Sequence, residues 1–234
     1  MDIPKNNKPS VLLFSGLALL EIIFFVKLLF SNIEDWGSIT DWISAISSIS
    51  TLLFAFFVYS RWYKERYRDD AYQIQKQIIT SQYLNLFNII EELDFKLKNY
   101  SFRVNGHNHC LKDSAIEEFQ AHLINSITQL QITSQQISNN IQVMKLFNYK
   151  PSDEFDIVNK NIIQNVDHII QQSKTIESNL SGLKSDTIEI MRAKFYDNFQ
   201  FNISNSEKYF RKVHSGKSYI YNEGKSLHEL FVSI

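Results

Sequence analysis

The chain has 234 residues, with 24 Lys and Arg against 25 Asp and Glu, so its formal net charge is -1 and no overall basic excess marks it for nucleic acid. Only 6 Gly and 3 Pro occur in that length, which favours long helices over turn-rich architectures. The single cysteine, Cys110, excludes an intramolecular disulfide framework and suits a reducing compartment.

Residues 1–10 form a short polar N-terminus carrying Lys5 and Lys8. Two apolar stretches follow almost back to back, Val11 to Phe30 and Trp42 to Ser60. Each is close to the ~20 residues that a helix needs to cross ~30 Å of hydrocarbon. A transmembrane hairpin over residues 11–60 is the expectation. A cleaved signal peptide fits less well: the first run is long, no A-x-A-like site follows it, and a second span begins soon after.

Trp36, Trp42 and Trp62 all flank the second stretch, with Tyr59 and Tyr63 beside Trp62, as rings at water interfaces do. Lys5 and Lys8 precede the first span and Arg61, Lys64, Arg66 and Arg68 follow the second, whereas the connection between them offers Glu34, Asp35 and Asp41. The positive-inside rule then puts both termini in the cytoplasm. The localisation that follows is a membrane, with the protein multi-pass.

Residues 61–213 read as a cytoplasmic helical domain. The positions Ile79, Tyr83, Leu86, Ile90, Leu93 and Leu97 step alternately by four and three, the stripe of a helix packed lengthwise on another. No Gly or Pro lies between Arg61 and Asp70, so this helix is expected to continue the second span as a stalk and to end near Asn99. A second helix opens on the S-x-x-E box of Ser114 and Glu117 and carries Ile116, Phe119, Leu123, Ile127, Leu130, Ser134, Ile137, Ile141 and Met144. Pro151 stops it.

A third helix, starting at Ser152 or Asp153 with acidic residues in its first turn, buries Phe155, Val158, Ile162, Val166, Ile169, Ser173, Ile176 and Leu180, and Gly182 is its candidate C-cap. A fourth, roughly Ser185 to Val213, is expected to bury Ile188, Met191, Phe195, Phe199, Tyr209 and Phe210. The fold class is therefore all-α, with the hairpin followed by an antiparallel up-down-up-down bundle. In residues 214–234 the S-x-x-E of Ser226 and Glu229 favours a terminal helical turn, while Tyr219 to Tyr221 and Leu230 to Val232 fit strand pairing equally well.

Glu21 falls near mid-depth of the first span, where a charge costs roughly 2.5 to 3.5 kcal/mol. In a hairpin it lies level with Ser50 and Thr51, and Ser44, Ser47, Ser48 and Thr51 repeat at helical spacing on the second span. These hydroxyls either bond Glu21 and line a wet interior when several hairpins assemble, or serve as helix-packing contacts. Lys27 is expected to snorkel to the outer interface.

The up-down path is expected to bring Lys145, Lys150, Lys208, Arg211 and Lys212 toward Arg61, Lys64, Arg66 and Arg68, as a juxtamembrane basic collar for anionic headgroups. Interleaved Tyr209 and Phe210 also permit nucleic acid contact, although a solvated or lipid-facing helix end is the commoner meaning of such a run.

His107, His109 and Cys110 suit zinc chemically but lack a fourth ligand at recognised spacing. The GKS triplets at Gly216 and Gly224 fail as phosphate loops, because Arg211 and Tyr219 stand where the earlier glycine is required. His228 and Glu229 lack the second zinc histidine, whose place is taken by Val232. No catalytic residue, cofactor or metal is expected, and the chain does not read as an enzyme.

The two close spans, the segment from Asp41-Trp42-Ile43-Ser44 through Arg61-Trp62-Tyr63-Lys64-Glu65-Arg66, and the helical domain after it resemble the two-transmembrane effectors of bacterial retron anti-phage systems. That resemblance covers the whole chain in layout and implies an effector silenced by a reverse transcriptase with its attached RNA and DNA. Release would let it permeabilise the inner membrane in abortive infection, as a homo-oligomer in the lipid bilayer. The alternative is a membrane-anchored scaffold that positions a cytoplasmic partner.

Overall fold

The computed structural model describes residues 39–106, 113–181 and 189–234. Almost all of these are helical. The chain divides into two units, Met1–Arg68 and Asp69–Ile234. Helix α1 (Ile39–Gln77) contributes residues to both.

The second unit opens with the end of α1, a π-helical segment at Ile78–Tyr83 and then α2 (Leu84–Gly106). The helices α3 (Asp113–Leu146), α4 (Asp153–Ser181) and α5 (Glu189–Tyr221) follow, with a strand β1 (Tyr149–Pro151) between α3 and α4. One helical turn, α6 (Leu227–Leu230), leads into strand β2 (Phe231–Ser233).

The expected first stripe, which runs from the π segment into α2, is buried at each of Ile79, Tyr83, Leu86, Ile90, Leu93 and Leu97. On α3 the stripe from Ile116 through Ile137 to Met144 is buried, with Ile141 packed at its margin. On α4 the same holds from Phe155 to Leu180, with Val158 at the margin. Apolar groups at this spacing leave water together, each contributing roughly 1.5 to 3 kcal/mol.

Contacts between helices fix their register. Tyr100 stacks on Phe119 at 3.9 Å while Asn85 donates to Thr133 at 3.3 Å, so residues later in α2 meet residues earlier in α3. Gln120 donates to Ser181 at 3.0 Å, joining the start of α3 to the end of α4. Tyr209 stacks on His168 at 4.7 Å, and a Cβ placed on Gly216 would come within 2.5 Å of Ile162 Cγ1. Glycine at position 216 is what lets α5 and α4 approach so closely.

Several boundaries differ from the expectations. Helix α2 continues past Asn99 to Gly106 because Tyr100 is buried between Phe119 and Phe199, and Ser101 donates to Gln200 at 2.7 Å. Those tertiary contacts outweigh the weak helix preference of Asn and Ser. Helix α5 runs to Tyr221 rather than Val213, burying Val213, Gly216 and Ile220 in its last turns. Met191, expected in the core, is 55% exposed. The α4–α5 register carries it beyond Ser181, where α4 ends, so no face of that helix stands opposite. Ile188 and Gly182 lie outside the described residues.

The C-terminal alternatives resolve into a mixture. Tyr219 to Tyr221 are helical, while β2 pairs antiparallel with β1, with Lys150 opposite Val232. Asn148, at φ 57, makes the left-handed turn from α3 into β1, a conformation that Asn tolerates better than most residues. Ser152 then caps α4, its Oγ accepting from the Phe155 amide at 3.3 Å. The capping box of Ser226 and Glu229 is formed.

Candidate functional site

Among the described residues one helix is long and apolar enough to cross a membrane, and none of its most apolar stretch is buried. Leu52 is 71% exposed and Phe54 68%, values that no folded core would leave to water. The stretch holds the polar stripe. Ser48 Oγ donates to the Ser44 carbonyl and Thr51 Oγ1 to the Ser47 carbonyl, both at 2.8 Å.

Each of these bonds spends the hydroxyl hydrogen inside the helix and leaves oxygen lone pairs facing outward. At Ser48 and Thr51 the stripe therefore offers acceptors. A protonated carboxyl is a suitable donor to it; Glu21, Lys27 and Trp36 lie outside the described residues.

From the end of the span onward, the helix carries Tyr59, Tyr63 and Tyr67 in a stacked ladder with ring centres 6.2 and 6.1 Å apart. The Arg66 guanidinium lies 5.4 Å from the centre of the Trp62 ring. Arg61 pairs with Glu65 at 3.1 Å, and Lys64 and Arg68 are exposed.

The basic residues of α5 lie within the helix. Because α5 extends to Tyr221, the trio Lys208, Arg211 and Lys212 sits in its interior rather than at its end. The Lys208 ammonium lies 4.8 Å over Tyr209, and Lys212 is exposed. Arg211 joins Asp94, Lys98, Glu207, Phe210 and His214 around a shallow cleft of about 400 Å³. Asp94 is itself paired with Lys98 at 2.6 Å, so the cleft is mixed in charge. Lys145 occupies the last turn of α3, and Lys150, on β1, pairs with Asp153 at 3.5 Å.

Gly216, Lys217 and Ser218 are helical, with Lys217 paired to Glu91, and Gly224 makes a turn at φ 65; neither triplet forms a loop that cradles phosphate. His107, His109 and Cys110 fall outside the described residues. Among the described residues no cluster of His, Cys, Asp and Glu is arranged to hold a metal ion.

Polar anchors that the sequence reading missed tie the C-terminal residues to the domain. Lys225 reaches Glu154 at 3.1 Å, lies 3.8 Å over the Tyr219 ring and contacts Glu223 at 3.5 Å. The Lys225 hydrogen bond holds the Glu154 carboxyl below its usual range. The amide and hydroxyl of Ser226 do the same for Glu229. Tyr83 donates to Asn159 at 2.5 Å, and burial, then the nearby Tyr221, pushes its phenol upward. The only advance signal of this network was the capping box. No protein-family model matches the chain, and no curated protein or solved structure matches it either.

Proposed function

We propose that the chain is an inner-membrane effector of bacterial anti-phage defence, similar in layout to the two-transmembrane effectors of retron systems. It permeabilises or depolarises the membrane once a reverse transcriptase and its RNA and DNA release it. In this reading residues 11–30 and 42–60 form a hairpin with both termini cytoplasmic, and the following helices form an antiparallel up-down-up-down bundle. The bundle binds the partner and governs assembly of several copies.

The observation that carries the reading is the apolar stretch of α1, none of which is buried and most of which is exposed, Leu52, Phe54 and Phe56 above all. Burying such Leu, Ile and Phe side chains is worth roughly 1.5 to 3 kcal/mol each, which makes hydrocarbon their solvent. The stripe of Ser44, Ser47, Ser48 and Thr51, with outward lone pairs at Ser48 and Thr51, supplies a polar surface within the span, and a pore through lipid needs one.

Inducible expression with a membrane-potential dye tests this. Depolarisation is expected from the parent under a triggering condition and not from Glu21→Leu, nor from the variant with Ser44, Ser47 and Ser48 changed to Ala and Thr51 to Val, at equal membrane levels. Equal depolarisation by these variants overturns the polar-lining mechanism. Reporter fusions are expected to place the C-terminus in the cytoplasm.

The back-bonded hydroxyls favour a second reading, a membrane-anchored scaffold. A hydroxyl already satisfied within its helix needs no further partner and packs readily against another helix. A parent that never depolarises cells selects this reading.

A further inference from the structure

From Tyr59 onward, α1 has two distinct faces. At 3.6 residues per turn, Tyr59, Trp62, Tyr63, Arg66 and Tyr67 share one side, and Arg61, Lys64 and Arg68 share the opposite side at spacings of three and four. The aromatic side is more than half exposed at Tyr59, Trp62 and Tyr63, at 60%, 51% and 54%. On the basic side the Arg61 side chain is 72% exposed even while paired with Glu65, the acid within this stripe.

We infer that this stretch is a binding face for anionic phospholipid headgroups, with Arg61, Lys64 and Arg68 contacting phosphate and the aromatic ladder seated at the acyl boundary. The inference rests on the membrane reading above and specifies which lipid the protein selects. Three physical features support it. The stripe is continuous with the apolar stretch of the same helix, so its charges stand at the height where a spanning helix leaves hydrocarbon. Tyr and Trp are amphipathic rings suited to that boundary. Stacking of Arg66 on Trp62 keeps a further cation beside the ring at headgroup level, where positive charge close to an anionic surface is attracted and then screened within a Debye length.

The test uses the full chain with Trp36→Phe and Trp42→Phe, leaving Trp62 as the fluorophore. The chain is reconstituted in vesicles of phosphatidylcholine with a minor share of phosphatidylglycerol. Two preparations of identical composition differ only in which lipid carries bromine near the carbonyl end of its acyl chains. A companion chain with Trp36→Phe and Trp62→Phe retains Trp42 and reports insertion.

Quenching by brominated phosphatidylglycerol is expected to exceed its bulk share by at least about twofold, and the excess to vanish in Arg61→Gln/Lys64→Gln/Arg68→Gln and to shrink in high salt. Quenching that follows bulk composition overturns the inference while leaving insertion intact, as does an excess that survives the triple substitution. Quenching of Trp42 without quenching of Trp62 also overturns it and makes protein, a second copy or another segment, the occupant of the face. Neither tryptophan quenched by either lipid overturns the membrane reading, and the inference with it.

Discussion

Tyr221, the last residue of α5, donates its phenolic hydrogen to the backbone carbonyl of Ile79 at 2.5 Å. The acceptor lies in the π segment, whose wider hydrogen-bonding pattern departs from the α-helical ladder on either side. Burial pushes the Tyr221 phenol up to about 12, so it stays protonated and keeps donating throughout the physiological range. A contact between residues so far apart in sequence joins α5 to the segment that follows α1.

Tyr221→Phe keeps the ring against Phe87, which it meets edge-on at 6.0 Å, but removes the donor. A loss of about 1 to 3 kcal/mol is expected, because the cost of a bond deleted from one side includes the stranded partner. Thermal unfolding of the full chain in detergent, followed by circular dichroism, measures it. An unchanged midpoint would show that the carbonyl has no need of the hydroxyl.

Gly216→Ala should destabilise the domain even though Ala is the better helix former by about 1 kcal/mol. The added Cβ would lie 2.5 Å from Ile162 Cγ1 and 2.7 Å from Cδ1. A β-branched side chain in a helix has essentially one χ1 rotamer, so Cγ1 cannot swing away and the helices must separate, at roughly 1 to 3 kcal/mol. In an Ile162→Ala background the same substitution is expected to be neutral or stabilising. Equal cost in both backgrounds would refute the contact as its cause.

Ile90 is 2% exposed on the α2 stripe. Ile90→Asp leaves an unpaired charge among apolar side chains and is expected to abolish cooperative unfolding, whereas Ile90→Val should cost only about 0.5 to 1.5 kcal/mol. Retention of a sharp transition by the Asp variant would remove Ile90 from the core.

Acid should loosen the C-terminal residues before the rest of the domain. Glu154 and Glu229 have carboxyls depressed by their folded-state partners, so their contribution is present above the ordinary Glu value of about 4.3 and is lost as pH falls through the folded values. Hydrogen exchange at Phe231 and Val232, corrected for intrinsic rates, should accelerate below about pH 4 relative to Val166 in α4. Glu154→Gln should already show faster exchange at neutral pH and a weaker response to acid.

Much of the core was written in the sequence because burial along a helix follows a local rule. Residues three and four apart share a face, so the stripes from Ile79 to Leu97, Ile116 to Met144 and Phe155 to Leu180 follow from spacing alone, as does the apolar length of residues 42–60. The S-x-x-E box at Ser226 is equally local.

The features decided by tertiary structure each depend on a partner far away along the chain. Asn99 and Ser101 look like a helix end until Tyr100 meets Phe119 and Phe199. Gly216 looks like a breaker until Ile162 takes the space in front of it. Strand β2 was ambiguous because a strand is defined by its neighbour's free edge, which here is β1, from Tyr149 to Pro151. The places of Lys208, Arg211 and Lys212 along α5 depended on where that helix stops, which is at Tyr221, the residue that reaches Ile79. Periodicity tells each helix which face to bury; only the assembled neighbours determine how far it runs and what its polar residues meet.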